Sequence, residues 1–162
     1  MKKCNTELMK EIKKLEERKD ELLKFEREQC KVTYINKESK IDNNYDYESI
    51  NNEIDSIDLE IRKIKKILAY SNATTIVPEY NMTIGECIIF LAQLNNKKNK
   101  LQLMANAVKI KRISSTYNTK VEYEEILYDI NKVKDDFNKV VDEINKLQMA
   151  IDRCNLCNLI EI

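Results

Sequence analysis

The chain has 162 residues, of which 35 % are charged, with one Gly, one Pro, no His and a formal net charge of zero. So little Gly and Pro excludes a sheet-rich fold, whose turns consume both residues. The balanced charge excludes a strong global field for gathering nucleic acid or an anionic membrane, and the length suits one domain over residues 1–162.

The first helix is expected over 5–29, capped by Asn5 or Thr6, with Leu8, Ile12, Leu15, Leu22 and Phe25 as its apolar stripe. The polar stretch Lys31 to Tyr47 is longer than the usual helix–helix connection of roughly 2–8 residues, and Val32, Tyr34 and Ile35 suggest a short strand within it. A second helix is expected over 47–70, where Ile50, Ile54, Ile57, Ile61, Ile64 and Leu68 keep the four-three spacing of a coiled-coil seam. The connection Ser71 to Met82 holds the lone Pro78.

Thr83 then opens a third helix, expected over 83–108, with Glu86 three positions on in a capping box. Its first half is apolar on several faces, through Ile84, Cys87, Ile88, Ile89, Phe90 and Leu91, and should be enclosed by more than one neighbour. Lys109 to Val121 reads as irregular or extended. A fourth helix is expected over 122–153, where Ile126, Ile130, Val133, Phe137, Val140, Ile144, Leu147 and Ile151 form an unbroken four-three seam. A seam of this length calls for antiparallel partners, within the chain or from a second copy. The fold class is therefore all-α: long antiparallel helical hairpins in a coiled-coil bundle, completed by homo-oligomerisation.

Chemistry is limited by what is missing. Without His there is no Ser–His or Cys–His nucleophile, and with Gly85 as the only glycine there is no phosphate-cradling loop. No enzyme is expected, and no cofactor. Cys154-x-x-Cys157 has the spacing of half a zinc site or of a redox pair, with Cys4 as a further donor if the termini meet. It reads more readily as a small apolar residue on the seam, Cys154, followed by a chance neighbour, and no metal is expected. The N-terminal segment is charged and lacks an apolar core, which predicts a cytoplasmic protein with no membrane partner.

Polar residues gather in the connections. Asn72, Thr74 and Thr75 leave the second helix, Tyr80 follows, and Lys111, Arg112, Ser114, Ser115 and Tyr117 follow the third. Cations and hydroxyls of this kind can hold a phosphate or carboxylate, and tyrosine rings can stack on a flat ligand. The same residue types also serve simply to cap helices and make turns.

The segment from about Leu68 onward resembles the septicolysin-like family of small bacterial helical proteins. Asn72-Ala73-Thr74-Thr75 matches its Asn-Ala-x-Thr turn. Thr83-Ile84-Gly85-Glu86-Cys87-Ile88 matches the opening of its third helix, Arg112-Ile113-Ser114 its Arg-x-Ser segment, and Ile151 with Asn155 the end of its last helix. The resemblance implies polar matched residues set in connections on a helical scaffold. The expected function is a non-enzymatic oligomeric binding protein that captures a small anionic or nucleotide-like ligand, as a phage or bacterial sequestering protein would. The alternative is a coiled-coil adaptor for other proteins. A membrane-active protein, as the family name suggests, comes third.

Overall fold

The structure is a computed structural model and describes residues 2–35, 45–113 and 121–161. The fold is all-α. Among the described residues, four helices are accompanied by three two-stranded antiparallel ribbons. The sequence reads as one helical domain; the chain divides into two compact units, Met1–Thr75 with Cys154–Ile162, and Ile76–Arg153.

The first unit holds β1 (Lys2–Cys4), α1 (Asn5–Gln29) and α2 (Tyr47–Thr74). Tyr45 just before α2 donates to Glu26 near the end of α1, while Lys65 far along α2 bonds Glu16, so the two helices run antiparallel. Partial burial, followed by the bond to Glu26, pushes the Tyr45 phenol up to about 12. Between the helices Leu8, Ile12 and Leu22 meet Ile50, Ile57, Ile61 and Ile64 in one apolar cluster. These are the expected stripes, and burying each such side chain contributes about 1.5–3 kcal/mol.

Asp46 caps α2 by accepting from the backbone N–H groups of Glu48 and Ser49. At the start of α1 the cap is Cys4, one or two residues earlier than the expected Asn5 or Thr6. The Glu7 carboxylate takes the Cys4 backbone N–H at 2.8 Å, which leaves Asn5 inside the helix. Residues 31–35, with Val32, Tyr34 and Ile35, form no strand among the described residues.

Both ends of the chain close this unit. Cys4 lies opposite Leu159 and Lys2 opposite Glu161, which pairs β1 with β6 (Leu159–Glu161). Asn5 Nδ2 donates to Asn155 Oδ1, Thr6 Oγ1 to the Asn155 carbonyl, and Asn158 Nδ2 to Thr75 Oγ1 at 2.7 Å.

The second unit opens with a hairpin of β2 (Ile76–Val77) and β3 (Met82–Thr83). Pro78 presets the backbone for the turn, and Asn81 closes it at φ 50, a left-handed conformation that Asn tolerates better than most residues. α3 (Ile84–Ala105) follows, with the expected capping box in place: Thr83 Oγ1 accepts from the Glu86 backbone N–H, and Glu86 accepts from the Thr83 backbone N–H at 2.7 Å. A ribbon of β4 (Ile110–Ile113) and β5 (Glu122–Glu125) leads to α4 (Ile130–Cys157), the last turn of which belongs to the first unit.

The expected start of the last helix at 122 is corrected by this ribbon. Glu122–Glu125 pair with Ile110–Ile113 instead of winding, and Asp129 makes the first turn by accepting from the Asn131 backbone N–H. Tyr128 donates to the Met104 carbonyl at one end of the unit, and Arg153 pairs with Glu79 at the other, so α3 and α4 run antiparallel. Val133, Val140, Leu147 and Ile151 of the expected seam are buried within the single chain. The expected enclosure of α3 holds on one side only: Ile84, Cys87 and Leu94 are buried, whereas Ile88 and Ile89 are exposed.

Glu7 and Glu86 each accept a backbone hydrogen bond at a helix start, which holds both carboxyls below the ordinary 4.5. A carboxyl lowered by folding stabilises the protein above its unfolded value, and that contribution disappears as pH falls through the lower folded value. Stability should therefore decline as pH drops below about 4.5, and Glu86→Gln should flatten the decline, as read by denaturant titrations across pH 3 to 7.

Candidate functional site

The turn Pro78 to Asn81 and one face of α4 build a cleft in the second unit. Glu143, Lys146, Ala150 and Arg153 recur at three-four-three spacing, so they share one side of the helix. With Glu79, Tyr80 and Met149 they line an open cleft of about 490 Å³. Ala150 and Met149 give it an apolar floor. The Tyr80 ring stands at its wall, with its phenol raised above the ordinary value by partial burial and then by the neighbouring Glu143 carboxylate. Arg153 Nη1 meets Glu79 Oε1 at 2.7 Å, with both side chains well exposed. Such a wet pair is worth about 0–1 kcal/mol, so it exchanges readily for another anion. Lys146 supplies a second, exposed cation.

Of the residues expected to bind, Tyr80 alone lines this cleft. Asn72 and Thr74 lie in the last turn of α2 and Thr75 directly follows it, in the first unit. Their hydroxyls are engaged in structure: Thr74 Oγ1 donates to the Tyr70 carbonyl, and Thr75 Oγ1 accepts from Asn158. Lys111 and Arg112 are exposed on β4, opposite Glu124 and Tyr123 of β5. Within the second unit they follow the C-terminal end of α3, whereas Tyr80 precedes its N-terminal end. The 22 residues of α3 separate them by roughly 33 Å at ~1.5 Å per residue. Ser114, Ser115 and Tyr117 lie outside the described residues.

Sequence reasoning missed Lys146, Arg153 and Glu143. Their signal was present as a polar stripe flanking the α4 seam, but it resembles any solvated helix face until the Tyr80 turn is placed against it.

The termini do meet at Cys4, as a zinc site would need, and the cysteines are thiols rather than disulfides. Among the described residues no group of three or more Cys, Asp or Glu is placed to hold a metal ion. No helix among them is long and apolar enough to cross a membrane.

No protein-family model matches the chain, and no curated protein does. A crystal structure described as a functionally unknown conserved protein from Corynebacterium diphtheriae is similar in fold. Its TM-score is 0.73 at 15 % identity, and the match covers 99 % of this chain and 100 % of that one.

Proposed function

We propose that the protein is a non-enzymatic binding protein that captures a small anionic, ring-bearing ligand in the Tyr80 cleft. The observation that carries this reading is the convergence of one aromatic ring and two cations over an apolar floor. A flat ring stacks on Tyr80. A phosphate or carboxylate takes the Arg153 guanidinium from Glu79 in a bidentate, charge-assisted contact, with Lys146 as the second cation. Glu143 stands beside the Tyr80 hydroxyl, and the released Glu79 accepts from ligand hydroxyls. Nothing in this scheme needs a nucleophile or general base, which suits a chain without histidine.

The test is calorimetric titration with adenosine diphosphate, a cyclic mononucleotide and ADP-ribose. Saturable binding of one of them is expected, weakened at least tenfold by Lys146→Ala or Arg153→Ala and unchanged by Arg112→Ala. Absence of binding by the wild-type protein to all three removes the reading.

The adaptor alternative draws on a different observation, the exposed apolar residues Ile88 and Ile89 on α3. On that reading the face would receive a helix of another protein.

A further inference from the structure

α3 carries two four-three stripes. One runs Ile84, Cys87, Leu91, Leu94, Lys98, Leu101 and Ala105, and every member of it is buried or half-buried. The other runs from Met82, just ahead of the helix, through Glu86, Ile89, Gln93, Asn96 and Lys100 to Leu103. The two stripes are offset by two residues, about 200° around a helix at 3.6 residues per turn. The second therefore faces directly away from the core of its own unit. Ile89 is 62 % exposed and Leu103 77 % exposed. Met82, Glu86, Ile89, Phe90 and Gln93 together line an apolar groove of about 300 Å³. Met82, Ile89 and Leu103 fall at heptad spacing on this face, and Ile89 and Leu103 are left uncovered by the described residues, which suits the docking of another helix.

Charge narrows the choice of occupant. Glu86 is the only acidic residue of α3 and stands in its first turn, while its basic residues, Lys97, Lys98 and Lys100, all lie in the second half. A parallel copy would set Glu86 against Glu86 and Lys100 against Lys100. An antiparallel copy sets Glu86 level with Lys100 at both ends of the contact. In that register Gln93 faces its own counterpart, and Met82 and Ile89 come within one residue of the levels of Leu103 and Asn96. Apolar ends, paired charges and a self-matched centre all come from one sequence, as a two-fold interface requires.

We propose that this face of α3 is the self-association surface of the protein, on which a second copy of the chain docks antiparallel about a two-fold axis at Gln93. The surface is distinct from the Tyr80 cleft and does not depend on what that cleft binds.

Light scattering of the full chain at tens of micromolar should give the mass of a dimer. Ile89→Asp should weaken association at least tenfold and leave the helical circular dichroism unchanged, because the side chain it replaces lies outside the core. Geometry is read by mild oxidation of single cysteines introduced into a Cys30→Ser, Cys157→Ser background. Gln93→Cys should form a covalent dimer. Leu103→Cys should not, because in the antiparallel register it lies near the level of Met82 of the other copy. A monomeric wild-type protein, as expected if the face serves a different protein, overturns the proposal. So does a dimer cross-linked through Leu103→Cys rather than Gln93→Cys.

Discussion

Leu147→Ala is expected to lower stability by about 3 kcal/mol, and Leu147→Asp to unfold the second unit outright. Leu147 is 0 % exposed at the centre of the α4 seam. Truncation to Ala removes its transfer free energy and leaves a cavity, which together cost about 2–5 kcal/mol for buried leucines. An aspartate there would be a charge without a partner, at a cost comparable with the whole stability of about 5–15 kcal/mol typical of a domain. Urea denaturation followed by circular dichroism measures both. Phe137, from the same seam, provides the contrast. It is only half-buried, so Phe137→Asp should cost less than Leu147→Asp, although sequence spacing ranks the two alike.

Asn5→Asp is the second large effect. Asn5 is 1 % exposed; its amide donates to Asn155 Oδ1 at 3.0 Å, while its own Oδ1 accepts no hydrogen bond in the structure. Aspartate removes that donor and sets a carboxylate against the Asn155 oxygen. A position at the start of α1 favours an anion by about 0.3–1 kcal/mol. Losing the donor and burying the charge costs about 3 kcal/mol, so burial wins. The introduced carboxyl has its pKa raised by burial, so the variant should recover part of its deficit as pH falls and the group is neutralised. Thermal unfolding of both proteins at pH 7 and pH 5 tests this: a deficit that does not shrink at pH 5 would show that burial of charge is not its cause.

Helices were legible in the chain because their signals are local. The stripe Leu8, Ile12, Leu15 and Leu22 marks α1, and Thr83 with Glu86 marks the start of α3 to the residue. The strands were not legible because their signals lie elsewhere in the sequence. Glu122–Glu125 reads as helix, since glutamate favours helices and Ile126 continues the spacing of Ile130 and Val133. Only pairing with Ile110–Ile113 makes it a strand. Lys2–Cys4 and Leu159–Glu161 are too short to carry any pattern of their own. The cleft was half-legible: Tyr80 stood out as an aromatic in a connection, while Lys146 and Arg153 were hidden among other lysines and arginines of a wet helix face. Pro78 marked a connection, but not that its turn would bring Glu79 to Arg153.

The pairing of β1 with β6 sets an order of events during synthesis. The second unit is one continuous stretch, Ile76–Arg153, and its contacts are all available once that stretch has left the ribosome. The first unit has its opening strand at residue 2 and the matching strand at residue 159. At about 5–20 residues per second, β1 waits on the order of ten seconds or longer for its partner. Throughout that interval α1 and α2 can form their hairpin, but Cys4 and Asn5 stay uncovered. Within these residues the unit begun before the other is thus completed after it, and until β6 emerges β1 is an edge open to a chaperone or a protease.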